Sequence, residues 1–130
     1  MAQPLATESH SSKRHRRQAA GRPAAAEARP VAIMALSVSP IGTESTSVGE
    51  YVADALRVIE RSGLRYQLHA MFTEVEEDLE ALVRQIPQAH EACFARGAQR
   101  LSTVIKIDDR RDAPSSIEGK VRSVVDRMRR

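Results

Sequence analysis

Two acidic clusters are the most chemically suggestive groups in this chain: Glu74, Glu76, Glu77 and Asp78 in "TEVEED", and Asp108 and Asp109 in "IKIDDRRD". Carboxylates in a partly desolvated pocket attract a cation far more strongly than they do in water. Left exposed, the same residues cap helices or meet solvent. Catalytic signals are poor. His10, His15, His69 and His90 have no metal-ligand spacing to one another or to other ligating residues. His90 lies on an apolar helical pattern and reads as a core residue, and Cys93 beside it has no activating neighbour. As the single cysteine, Cys93 closes no internal disulfide. No glycine-rich phosphate loop is present. The expectation is binding without catalysis, with no cofactor and no metal.

The elements that must position these groups follow from periodicity. "VAIMALSVSPIG" alternates as a strand, with Met34, Leu36 and Val38 on one face, Ser37 and Ser39 on the other, and Pro40 and Gly42 ending it. Ser47 and Glu50 have capping-box spacing, and Val48, Val52, Leu56 and Ile59 then trace a helix that stops at Gly63. "LRYQLHAMFTEVE" predicts a second strand, with Tyr66, Leu68 and Ala70 facing one way and Gln67, His69 and Met71 the other. A tight turn and a short third strand near Phe72–Glu76 follow. Leu79, Leu82, Val83, Ile86, His90, Cys93 and Phe94 mark one face of a second helix, which Pro87 should kink or divide. "QRLSTVIKID" is the fourth strand, with Thr103, Ile105 and Ile107 opposite Ser102, Val104, Lys106 and Asp108. Ser115 and Glu118 repeat the capping box before a final amphipathic helix through Ile117, Val121, Val124 and Met128.

The order βαββαβ plus a C-terminal helix predicts an α+β, ferredoxin-like antiparallel sheet with helices on one face. The other face would collect Ser37, Ser39, Gln67, His69, Met71, Ser102, Val104, Lys106 and Asp108. That mixture is neither a solvated surface nor a closed core, and it suggests self-association or a ligand site between subunits. It offers no aromatic on which bases would stack, so nucleic acid is not the expected partner.

The chain has 130 residues, enough for one domain with a real core. Hydrophobic residues make up 42% and aromatics only 3%, so that core must be aliphatic. The net charge of +3 is uneven. Residues 1–30 carry six basic groups against Glu8 and Glu27, which leaves 14 basic and 15 acidic residues in 31–130. Residues 1–30 therefore read as a disordered, basic and Ala-rich extension, expected to add nothing to folding, and residues 31–130 as the folded domain. The "KRHRR" cluster can meet a polyanion, but a solvated extension is the reading preferred here. No apolar run approaches the roughly 20 residues needed to span a bilayer, and the cysteine usage suits a reducing cytoplasm.

The segments "SVSPIGTESTSVGEYVA", "SGLRYQLHAMFTEVE", "STVIKIDDRRD" and "KVRSV", in this order between Val31 and Met128, resemble the small thiamine-binding protein family. The resemblance implies a ferredoxin-like fold, a homotetramer, and binding of thiamine or its pyrimidine moiety. Carried over position by position, it implies ligand contacts at Ser39, Thr43, Ser47, Met71, Thr73, Glu76, Lys106 and Asp108. Pro40, Gly42, Tyr51, Arg110, Lys120 and Val121 also match. Three positions depart from the pattern: Ala70 replaces a proline, Phe72 a glycine and Glu77 a glycine, and a bulky Phe72 is expected to narrow or reshape the pocket. Thiamine makes sense of these residue types. Glu76 would offset the thiazolium or accept from the exocyclic amine, and Ser39, Thr43 and Thr73 would address ring nitrogens. Lys106 would repel the thiazolium, so it is expected to pair with Asp108 of a neighbouring strand or subunit or with a ligand oxygen. The alternative is a structural or regulatory oligomer without a small ligand. An enzyme acting on a thiamine precursor is disfavoured, because no activated nucleophile or acid–base pair emerges.

Overall fold

A computed structural model of the chain describes residues 31–130, so the extension expected over residues 1–30 lies outside the described residues. The elements are β1 (Ala32–Pro40), α1 (Gly49–Ser62), β2 (Arg65–Leu68), β3 (Thr73–Glu77), α2 (Leu79–Arg96), β4 (Leu101–Asp109) and α3 (Ile117–Met128). The strands form one sheet in the order β2-β3-β1-β4, antiparallel at every pairing. This is the ferredoxin-like arrangement that the element order predicts.

Alternation along β1 turns Ala32, Met34, Leu36 and Val38 toward α1 and α2, where they meet Ala55, Ile59, Leu82, Ala89 and Cys93, with Val75 joining from β3. Gly63 and Gly97 take left-handed conformations that end α1 and α2, as a non-glycine residue would do only under strain. Asp78 caps α2 by accepting from the Ala81 N–H at 2.9 Å, and the Glu77 carboxylate accepts from the Asp78 N–H at 3.0 Å. Two members of the first acidic cluster thus secure a helix start.

Several local expectations need correction. The box at Ser47 and Glu50 does not form. Helix α1 starts one residue later, with Val48 as its N-cap and no side-chain cap bond, while the Ser47 N–H donates to Ser45 Oγ at 3.0 Å. At α3 the cap is Ser116 rather than Ser115, its hydroxyl accepting from the Gly119 N–H at 2.9 Å. Pro87 does not divide α2. It lies on the exposed flank, where water can take the carbonyl that the missing N–H leaves free. The inner face of α2 is Leu82, Gln85, Ala89 and Cys93, whereas Val83 and Phe94 are exposed. Strand β2 ends at Leu68, so His69, Ala70, Met71 and Phe72 form the hairpin turn, and His69 and Met71 leave the sheet face assigned to them. Finally, α3 stands over part of the second sheet face, which is therefore not wholly uncovered. No helix of the described residues is long and apolar enough to cross a membrane.

Helices α1 and α2 are also tied by charge. Asp54 on α1 receives Arg96 of α2 through two guanidinium nitrogens and Arg57 of its own helix at 2.6 Å, and Glu50 pairs with Arg96 at 3.2 Å. The Arg96 hydrogen bond holds the Asp54 carboxyl below its usual value against an opposing cost of burial. A carboxyl depressed in the folded state stabilises above its unfolded pKa, about 3.9, and loses that contribution as pH falls through the lower folded value. Asp54→Asn should therefore lower the thermal midpoint near neutral pH. Its deficit against the parent should stay constant down to about pH 4–5 and shrink in more acid solution. A deficit independent of pH throughout the acid range would show that packing, not charge, accounts for it.

Candidate functional site

Strands β1 and β3 differ in length, and that difference opens a pocket. The β1–β4 ladder runs the full length of β1, from Ala32↔Asp109 to Pro40↔Leu101. The β1–β3 ladder stops at Leu36↔Thr73. Beyond Leu36, the flank of β1 that faces the hairpin has no strand partner. Alternate residues of an antiparallel strand direct their N–H and C=O groups to opposite flanks, so part of the Ser37–Pro40 backbone is turned toward this opening. Buried backbone groups require partners.

The space beside this flank measures about 230 Å³. Its floor is Leu36–Ser39, one wall is α1 through Val48, Val52, Ala55, Leu56 and Ile59, and the other is the hairpin from Leu68 to Thr73. Polar groups come from Ser37, Ser39, His69 and Thr73; aliphatic side chains and Phe72 supply the remainder. No carboxylate lines it. Thr73 is buried while Met71 is 77% exposed, so the hydroxyl sits deep and the thioether at the mouth. The turn is closed by the His69 N–H donating to the Phe72 carbonyl at 2.9 Å, and His69 Nδ1 stands 3.6 Å from Glu74 Oε2. A pocket of this size suits one heteroaromatic ring, below the usual range for drug-sized ligands.

The structure brings together Ser39, Met71 and Thr73 from the residues singled out in the sequence. Thr43 and Ser47 lie in the β1–α1 loop outside the pocket, where the Thr43 hydroxyl donates to the Ser45 carbonyl at 2.8 Å. Lys106 and Asp108 belong to the opposite face of the sheet. There, with Ile33, Ala35 and Glu74 below and α3 above, they line a trough of about 480 Å³. Asp108 takes Lys120 of α3 at 2.5 Å, and Lys106 has no ion-pair partner among the described residues. The expected Lys106–Asp108 pairing is thus replaced, within the chain, by a tie between β4 and α3.

Glu76 has a structural task that the sequence reading did not assign. It is 5% exposed. Its Oε1 pairs with Arg65 Nε at 2.8 Å, and its Oε2 accepts from the Ile117 N–H at 3.0 Å. Arg65 also holds Glu118. The carboxylate therefore fastens the first turn of α3 to the sheet, favoured further by the partial positive charge of a helix N-terminus. Sequence reasoning also missed Val52, Leu56 and the Ser37 backbone as pocket walls. Arg65 was findable, because it lies directly opposite Glu76 in the hairpin register.

The fold is that of a small ferredoxin-like module with one candidate ligand pocket beside β1. Residues 34–125 match the family described as "Thiamine-binding protein", and the chain belongs to that family. It is 43% identical over 94 residues to a UPF0045 protein of Methanothermobacter thermautotrophicus, covering 72% of this chain and 95% of that protein. It is 42% identical over 98 residues to the UPF0045 protein YqgV of Bacillus subtilis, covering 72% and 94%. Among solved structures, a domain of unknown function (DUF77) from Bacillus cereus superposes with a TM-score of 0.63 at 34% identity, covering 70% of this chain and 86% of that one. The protein MJ1052 of Methanocaldococcus jannaschii gives 0.67 at 29% identity, covering 72% and 95%.

Because Glu76 anchors α3, Glu76→Gln should lower stability by about 1.5–3 kcal/mol, the range for a hydrogen bond to a charged group. Amide exchange at Ile117 and through the first turn of α3 should accelerate, while β1 stays protected. An unchanged midpoint with unchanged exchange at Ile117 would show that α3 is held elsewhere.

Proposed function

We propose that the protein binds thiamine through its pyrimidine moiety, without catalysing a reaction, in the pocket beside Ser37–Pro40. The observation that carries this reading is the early end of the β1–β3 ladder at Leu36↔Thr73. It leaves strand backbone facing a ring-sized space with Thr73 and Ser39 nearby. An aminopyrimidine carries donors and acceptors along one edge, the pattern that a free strand flank complements. The lining holds no carboxylate, so it favours the neutral ring over the thiazolium, which would lie at the mouth near Met71 and solvent. Glu76, with both oxygens engaged, is not the cation's partner in this arrangement. Phe72 lines the pocket, and its ring offers a flat face to a planar ligand.

The same reading includes a homo-oligomer, a tetramer being the form that the family resemblance implies. Exposed apolar side chains on the α3 face support self-association.

Calorimetric titration with thiamine, its phosphates and the free pyrimidine tests the ligand. The free pyrimidine should bind and the isolated thiazolium should not. Thr73→Val should weaken pyrimidine binding by about tenfold, the equivalent of roughly 1.4 kcal/mol and within the range for one hydrogen bond. Binding of the thiazolium alone, or of none of these compounds, would overturn the reading.

A further inference from the structure

We infer that the groove between α1 and α2, on the outer side of the helical layer, binds a small phosphoryl-bearing anion through Arg57 and Arg61. The inference is independent of the pyrimidine pocket, which adjoins the other flank of α1.

The groove measures about 390 Å³ and is lined by Asp54, Arg57 and Arg61 of α1 and by Ala92, Ala95 and Arg96 of α2. Helical spacing sets Asp54, Arg57 and Arg61 along one stripe. That stripe lies about half a turn round the helix from Val52, Leu56 and Ile59, which wall the pocket. Alanines at 92 and 95 carry no side chain beyond Cβ, so α2 leaves room beside the guanidiniums.

Charge in the groove is unequal. Three guanidiniums stand against a single lining carboxylate, Asp54. Arg96 is already engaged: its Nε and Nη2 go to Asp54, and its Nη1 goes to Glu50 at 3.2 Å. Arg57 gives only Nη1 to Asp54, at 2.6 Å, and its side chain remains 55% exposed. Arg61 has no ion-pair partner among the described residues. It stands one turn beyond Arg57, where like charges at i and i+4 repel. The last turn of a helix accommodates a cation, but that does not relieve the repulsion from Arg57. Asp54 thus steers Arg57 without neutralising the pair.

An anion bridging the two side chains would relieve the repulsion. A guanidinium presents its N–H donors as a planar fork that matches phosphate oxygens. A carboxylate fills one such fork, whereas a phosphoryl group, with three acceptor oxygens, can occupy both. Toward the start of α1, Asp54 and Glu50 interrupt the basic stripe. A nucleic acid, which calls for cations clustered along a face or stripe, therefore fits less well than a small ligand. The free ion and an organic phosphate ester share this chemistry.

The test is calorimetric titration of the full chain with inorganic phosphate and with phenyl phosphate, at low ionic strength and mildly alkaline pH. Both probes should bind. Arg61→Gln should weaken binding by about tenfold, the equivalent of roughly 1.4 kcal/mol. Arg61→Lys, which keeps the charge but not the fork, should recover only part of the loss. Because Arg61 makes no ion pair within the described residues, both variants should keep the parent's circular dichroism and thermal midpoint. Arg122→Gln, on the exposed side of α3, should keep the parent affinity. Tighter binding of phenyl phosphate supports an organic ester as the ligand, and tighter binding of inorganic phosphate supports the free ion. Failure of both probes to bind overturns the inference. Equal losses in Arg61→Gln and Arg122→Gln also overturn it, because diffuse surface charge then accounts for the binding. So does full affinity in Arg61→Gln, because the anion is then held elsewhere, as by the arginines of residues 1–30.

Discussion

The arrangement depends on a mismatch of strand lengths. Strand β1 has nine residues paired along one flank but only five along the other. A sheet with matched strands would satisfy this backbone internally, and the β2–β3 hairpin would close over the end of β1. Instead β3 begins at Thr73, and the four residues before it are spent on a turn. The backbone of Ser37–Pro40 is fixed by β4 on one side and available on the other. A rigid strand with an open flank is a preorganised partner for a planar heterocycle, because little conformational entropy is lost on binding.

The acidic residues serve mainly to hold the structure around that flank. Asp78 and Glu77 secure the start of α2, Glu76 secures the start of α3, and Asp54 joins α1 to α2. Each is set against a helix N-terminus or a guanidinium, where the charge is compensated and the desolvation cost of a buried carboxylate is offset. Two acid-to-arginine pairs at the end of β4, Asp109–Arg111 and Asp112–Arg110, are exposed and contribute little. The charged run that ends β4 therefore belongs to the sheet's rim and to the tie with α3.

The fold was largely legible in the sequence. Alternation in β1 and β4, helical spacing from Val52 to Ile59, and the stops at Gly63 and Gly97 identify the elements and their order. Local rules compete where they failed. Ser47 and Ser115 both have box spacing, yet in one case Ser45 holds the loop and in the other Ser116 is the residue with extended backbone just before the helix. The period that marked Val83 and Phe94 as core was rotated relative to the true inner face, where Gln85 is buried beside Leu82 and Ala89. The site was less legible. Ser39, Met71 and Thr73 were marked as ligand contacts only by the family resemblance, and the opening that they border is a matter of register between non-adjacent segments. Glu76 was expected as a ligand carboxylate from the family resemblance; its partners in the fold, Arg65 and the Ile117 N–H, come from 11 positions earlier and 41 later in the chain, beyond the reach of local pattern.

The central claim is that the free flank of β1 is where the pyrimidine binds. Amide hydrogen exchange at Ser37, Val38 and Ser39, with and without saturating free pyrimidine, tests it most directly. At least one of these amides should exchange more slowly in the presence of ligand, with the hairpin amides from His69 to Thr73 slowed alongside. Ligand-dependent protection confined to the trough side, at α3 and Lys106, with none at Ser37–Ser39, would contradict it.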